Sequence, residues 1–230
     1  MTKNITVVDI ACHRGLRILF FAAIESDGTI FAAQSEDPLT TKIGYSDIGN
    51  VKGAVKIAVG ESHIVVLDDQ GDVYFFSQFY THQIPLPFNY KDRVPFTKIP
   101  VSNIKQVVVY EYTTICLKHD GSMILFTPPS RQYEFKYNKH IIHMAINNKI
   151  FVVLDNNGNL YQIDFYSIQK VEDIDNYLIG EHVCDYAVGD IYDVMMIKAD
   201  GMYSIGNSDW KGGFTTMAYK EPKLYKYNPL

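Results

Sequence analysis

The sequence predicts an all-β fold, a five-bladed β-propeller of four-stranded antiparallel blades occupying residues 1–230 as a single domain. Three observations carry this expectation. An apolar run, a polar turn containing glycine and a second apolar run follow one another five times along the chain. A further short apolar run precedes each copy. The runs are apolar on consecutive residues, as in Ile64–Leu67, Val73–Phe76 and Phe151–Leu154, so both faces of their sheets must be covered.

In chain order the copies read LFFAAIESDGTIFAAQ from Leu19, HIVVLDDQGDVYFFSQ from His63, TTICLKHDGSMILFTP from Thr113, IFVVLDNNGNLYQIDF from Ile150 and DVMMIKADGMYSIGNS from Asp193. Their turn glycines, Gly28, Gly71, Gly121, Gly158 and Gly201, stand 43, 50, 37 and 43 residues apart. The residue before each is Asp27, Gln70, Asp120, Asn157 or Asp200, and such pairs suit a tight hairpin turn with left-handed backbone. The flanking runs are short, rich in Val, Ile, Phe and Tyr, and broken by turns too often for helices. The preceding strands are VVDIA from Val7, VKIAV from Val55, KQVVV from Lys105, IHMAI from Ile142 and CDYAV from Cys184. A fourth strand is expected at Thr41–Asp47, Val94–Pro100, Tyr133–Asn138, Val171–Tyr177 and Leu224–Tyr227. A β-sandwich would show polar alternation on its outer faces, and the innermost runs do not read that way. Each unit owns its fourth strand, the last ending in KLYKYN, so closure without strand exchange is expected.

Composition bounds the function. A chain 47% hydrophobic and 20% charged folds into a globule, and 230 residues bury a core without staples. Twenty-one basic against 26 acidic side chains give a net charge of −5, which argues against nucleic-acid binding. Cys12, Cys116 and Cys184 form neither a disulfide framework nor a zinc site and read as buried small hydrophobes. No signal peptide or membrane span is legible, so a cytoplasmic protein, or a virion component if viral, is expected. High Asn, Ile, Lys and Tyr content hints at an AT-rich coding genome, such as that of a virus.

The second copy, VKIAVGESHIVVLDDQGDVYFFS, resembles a repeat of the regulator of chromosome condensation family, with Gly60, His63, Leu67, Gly71, Val73 and Tyr74 in matching places. The fifth copy adds AVG at Ala187–Gly189 and a glycine-rich segment with Gly206, Asn207 and Gly212. The resemblance implies the propeller fold, a general binding habit and a structural His63 that hydrogen-bonds within its blade. The family's founding members have more blades and longer repeats. Their exchange wedge and basic tail have no counterpart here, so nucleotide exchange does not carry over.

No phosphate loop, nucleophile elbow, dinucleotide fingerprint or CxxC pair is present, so neither catalytic residues nor a cofactor is expected. His140 and His143 form H-x-x-H on a strand and its entry, pointing to opposite faces, and no metal site is expected. One polar position recurs in the innermost strands: Asp9, Lys56, Gln106, His143 and Asp185. It suggests a polar ring near one channel mouth, or simply a wet channel. The connections after these strands bring Glu61, Tyr110, Glu111, Tyr112, Asp190 and Tyr192, and the polar loop NSDWKGG brings Trp210 as a contact anchor. The expected function is therefore a non-enzymatic protein–protein interaction platform with a protein partner and neither nucleic acid nor membrane. The rivals are a small-ligand or sequestering protein using the channel mouth, and a structural or inhibitory part of a viral or phage assembly.

Overall fold

The computed structural model describes residues 6–14, 19–35, 44–61, 63–77, 94–127, 131–147, 149–189, 194–205 and 223–225. They form five four-stranded antiparallel sheets, each built from four consecutive strands. Sheet one holds β1 (Val7–Arg14), β2 (Leu19–Glu25), β3 (Thr29–Ser35) and β4 (Gly44–Asn50). Sheet two holds β5 (Ala54–Val59), β6 (His63–Asp68), β7 (Val73–Ser77) and β8 (Val94–Lys98). Sheet three holds β9 (Ile104–Tyr110), β10 (Thr113–Lys118), β11 (Met123–Thr127) and β12 (Arg131–Phe135). Sheet four holds β13 (Ile141–Asn147), β14 (Ile150–Asp155), β15 (Leu160–Asp164) and β16 (Leu178–Gly180). Sheet five holds β17 (Val183–Val188), β18 (Val194–Lys198), β19 (Gly201–Ile205) and β20 (Lys223–Tyr225). No strand is exchanged between sheets among the described residues. No helix among them is long and apolar enough to cross a membrane.

The chain divides into two compact units, residues 1–119 with 123–134, and residues 120–122 with 135–230. In the first, Ala22, Ile24, Ile30 and Ala32 of sheet one pack against Ile57, Val59, Ile64, Val66 and Phe76 of sheet two. Val65, Leu67, Val73 and Phe75, on the opposite face of sheet two, meet Val107, Cys116, Ile124 and Phe126 of sheet three. In the second unit Ile150, Val152, Leu154 and Leu160 of sheet four meet Val194 and Met196 of sheet five. Alternate residues of one strand thus serve two different interfaces, which is why the hairpin runs are apolar without a break.

In sheets two and four the turn glycine joins the sheet to the next. Gly71 has φ +78° and Gly158 φ +80°, a region side chains rarely adopt. The Gly71 carbonyl accepts the Ile104 N–H at 3.1 Å and the Gly158 carbonyl accepts the Val183 N–H at 2.9 Å. A hairpin tip in one sheet therefore fixes the start of the first strand in its successor.

Several expectations need correction. Val171–Tyr177 is not a strand. Two 3-10 turns, Phe165–Lys170 and Ile174–Tyr177, precede the fourth strand at Leu178–Gly180. The cause is local: the Asp164 and Asp173 carboxylates accept the Tyr166 and Asp175 N–H groups, while Ile168 and Ile174 are buried. The fourth strands expected at Thr41–Asp47 and Tyr133–Asn138 lie at Gly44–Asn50 and Arg131–Phe135.

Burial on both faces is complete in β6 and β14 and nearly so in β11 and β15, whereas the first strands expose Val55, Lys56, Ile142 and His143. A first strand has a neighbour on one edge only and leaves part of its surface to solvent. Cys116 is buried, and burial pushes its thiol up to about 12, but Cys12 and Cys184 are exposed. Both belong to first strands, β1 and β17.

Candidate functional site

The five polar residues picked out along the first strands of the sheets occupy one register position. Asp9 pairs with Ile24, Lys56 with Leu67, Gln106 with Leu117, His143 with Leu154 and Asp185 with Ile197. Every partner stands four residues before its hairpin glycine. A β-bulge precedes each polar residue, the extra residue being Val8, Val55, Lys105, Ile142 or Cys184. An extra residue bends the strand and re-aims the side chains after it.

In the first unit, Asp9 accepts the Ile57 N–H at 2.9 Å and lies 3.6 Å from the Lys56 ammonium. In the second, His143 Nδ1 lies 3.0 Å from the Tyr186 hydroxyl. In both pairs the polar residue reaches the backbone or side chain just after its counterpart in the next sheet. Burial, then the Asp185 charge, pushes the Tyr186 phenol up, so it stays a neutral hydroxyl. Tyr186 was not singled out from the sequence, although its place directly after Asp185 in register could have found it.

The connections after the first strands form a second group in the first unit. The Glu61 N–H donates to the Glu111 carbonyl at 2.9 Å, with Glu111 itself at φ 48°. Tyr112 is 41% exposed. A hydrogen bond to Glu61, followed by burial and the charges of Glu61 and Glu111, pushes its phenol up to about 12. His13 of β1 joins this group. Burial lowers its pKa, while the Glu61 and Glu111 carboxylates pull it back up. Its signal in the sequence was its distance from Asp9, four residues further along the same strand. Tyr110 ends β9 opposite Thr113, and Gln106 is half-buried on the same strand. Asp190, Tyr192 and Trp210 lie outside the described residues.

His63 corrects one expectation. It is buried, and its Nε2 meets Thr114 Oγ1 at 2.9 Å in sheet three, so the bond leaves its own sheet instead of staying within it. Gly60 makes room for this clasp. A Cβ there would stand 2.5 Å from the Glu111 carbonyl oxygen, 2.6 Å from a Val109 methyl and 2.8 Å from His63 Cε1. The G-x-x-H motif is thus an inter-sheet lock, and its form follows from how closely two sheets approach. Among the described residues no three His, Cys, Asp or Glu side chains gather as a metal ion would require.

No protein-family model matches the chain, and no curated protein does. Solved structures define the class: the fold is similar to β-propellers of the regulator of chromosome condensation type. Human WBSCR16 superposes with a TM-score of 0.65 at 14% identity, over 88% of this chain and 62% of that one. Yeast RCC1 (Prp20), in its complex with Kap60, superposes with a TM-score of 0.57 at 14% identity, over 81% and 54%. BBS1N, in complex with ARL6DN, gives 0.54 at 14% identity, over 88% and 65%. The chain spans less than two thirds of the length of each of these neighbours. At such identities the likeness is one of fold.

Proposed function

We infer that the five sheets are the blades of a β-propeller and that the protein is a non-catalytic platform that binds another protein. The observation that carries this reading is Tyr112, an exposed aromatic held by Glu61 beside Glu111 at the end of stiff strands. An aromatic side chain fixed before contact loses little rotamer freedom on binding and excludes water well. The two carboxylates favour a lysine or arginine on the partner. The neighbours add support, since yeast RCC1 was solved bound to Kap60 and BBS1N in complex with ARL6DN. The recurring polar position, Asp9, Lys56, Gln106, His143 and Asp185, supplies further polar contacts in this reading.

The test is affinity capture from the native source with the wild-type chain and with a Tyr112→Ala, Glu61→Gln, Glu111→Gln variant. The expected outcome is a protein that wild type retains reproducibly and the variant holds about thirtyfold more weakly or worse. A wild-type chain that captures nothing stable, or a partner indifferent to all three changes, refutes the reading.

A further inference from the structure

Two ways of capping the hairpin tip alternate along the first four sheets. In sheets one and three the residue before the glycine is an aspartate whose carboxylate accepts the N–H just after the glycine. Asp27 takes that of Thr29 at 3.0 Å and Asp120 that of Ser122 at 2.9 Å. In sheets two and four the task passes to an aspartate three residues before the glycine. Asp68 accepts the Gln70 and Asp72 N–H groups at 3.0 and 2.8 Å, and Asp155 accepts those of Asn157 and Asn159, both at 2.8 Å. The residue before the glycine is then a neutral amide, Gln70 or Asn157. The Asn157 carboxamide takes no part in its cap and makes no hydrogen bond among the described residues.

This leaves the one Asn-Gly pair of the chain open to a reaction of its own. Glycine has no side chain to shield its nitrogen. After hydroxide removes the Gly158 N–H proton, the nitrogen attacks Cγ of Asn157. The new N–Cγ bond closes a succinimide ring, the Cγ–Nδ2 bond breaks, and the amide nitrogen takes a proton from water and leaves as ammonia. Water then opens the ring at either carbonyl. One opening gives aspartate. The other gives isoaspartate, in which the main chain runs through Cβ and Cγ and is longer by a carbon. The Gly158 N–H is bonded to the Asp155 carbonyl at 3.2 Å, so the attack follows local opening of the turn.

We propose that Asn157–Gly158 is a site of spontaneous deamidation, and that its isoaspartate product unfastens the hairpin of sheet four from sheet five. The residues concerned all lie in one compact unit. The added carbon falls between the N–H groups of residues 157 and 159, which must reach the same Asp155 oxygen. It also displaces the Gly158 carbonyl, which accepts the Val183 N–H at 2.9 Å. The aspartate product keeps the backbone length, and Asp27, Asp120 and Asp200 hold this place in other sheets. Its cost is electrostatic. Burial pushes the Asp155 carboxyl up, but the bonds from Asn159, Asn157 and Tyr161 outweigh it and hold the group below the usual carboxylate range. A second carboxylate two residues away repels that charge. Nothing in this proposal rests on partner binding, since Glu61, Glu111 and Tyr112 belong to sheets two and three.

Peptide mass spectrometry of the full native chain, kept at neutral and at mildly alkaline pH, tests the proposal. Asn157 should convert from amide to acid, faster at the higher pH, into a mixture of aspartate and isoaspartate. A native chain that stays amidated overturns the proposal, whether or not the same chain converts in urea. Asn157→Gln, the amide that sheet two carries at this place, should stay intact, because its longer side chain closes a ring far more slowly. Amide hydrogen exchange reads the consequence. The deamidated fraction, separated by its extra negative charge, should exchange the Val183 amide about tenfold faster or more than fresh protein. Freshly made Asn157→Asp should keep that amide slow. Unchanged Val183 exchange in the deamidated fraction, or equal acceleration in Asn157→Asp, refutes the unfastening by a lengthened backbone.

Discussion

His63 shows how one residue can serve two sheets. Burial, with a smaller push from His13, lowers its pKa from 6.5 to about 3. The unfolded chain therefore binds a proton between these values that the folded chain does not. Stability has its full value above pH 6.5 and falls as pH drops toward 3. The expected slope from this residue is about 1.4 kcal/mol per pH unit at most. His63→Gln keeps a group able to bond Thr114 without that titration. Melting temperatures at neutral and acidic pH should therefore decline less steeply in the variant, and an unchanged pH dependence would show that another group governs acid sensitivity.

At the scale of the element, first and second strands differ in what they bury. Val66 lies in β6 and is 0% exposed, while Val55, in β5 of the same sheet, is 36% exposed. Val66→Ala removes two methyl groups from a packed interface and should cost about 2 kcal/mol. Val55→Ala, at the bulge, should stay within about 0.5 kcal/mol. Urea titrations of the two variants check the contrast, and equal losses would mean that the bulge residue is packed as tightly as the strand interior. The 3-10 turns of sheet four are also decided at this scale. Val171–Tyr177 looks like a strand in its spacing, but the carboxylates of Asp164 and Asp173 give the backbone a competing partner. The two sites of exposed cysteine have a similar origin, because burial follows a strand's place in its sheet and not the residue type.

At the scale of the whole molecule, stability in a repeat protein passes through neighbouring interfaces. Gly60→Ala should cost about 1–3 kcal/mol, because the added carbon meets the backbone of sheet three and the His63 ring. The loss should not stay in sheet two. Amide hydrogen exchange in β6 and β10 should rise together, since His63 and Thr114 tie these strands. Faster exchange confined to β6 would show that the two sheets open independently.

The sequence by itself determined the repeat and its strands. Five glycine hairpins, the first three strands of every unit and the shared polar position from Asp9 to Asp185 could all be counted from residue spacing, because hairpin turns and alternating side chains are local properties. Only the tertiary structure decided what those positions touch. The bulges that aim the polar residues leave no composition signal, since Val8, Val55, Lys105, Ile142 and Cys184 share no residue type. The His63–Thr114 clasp depends on which sheet lies against which, and residues far apart in the chain settle that.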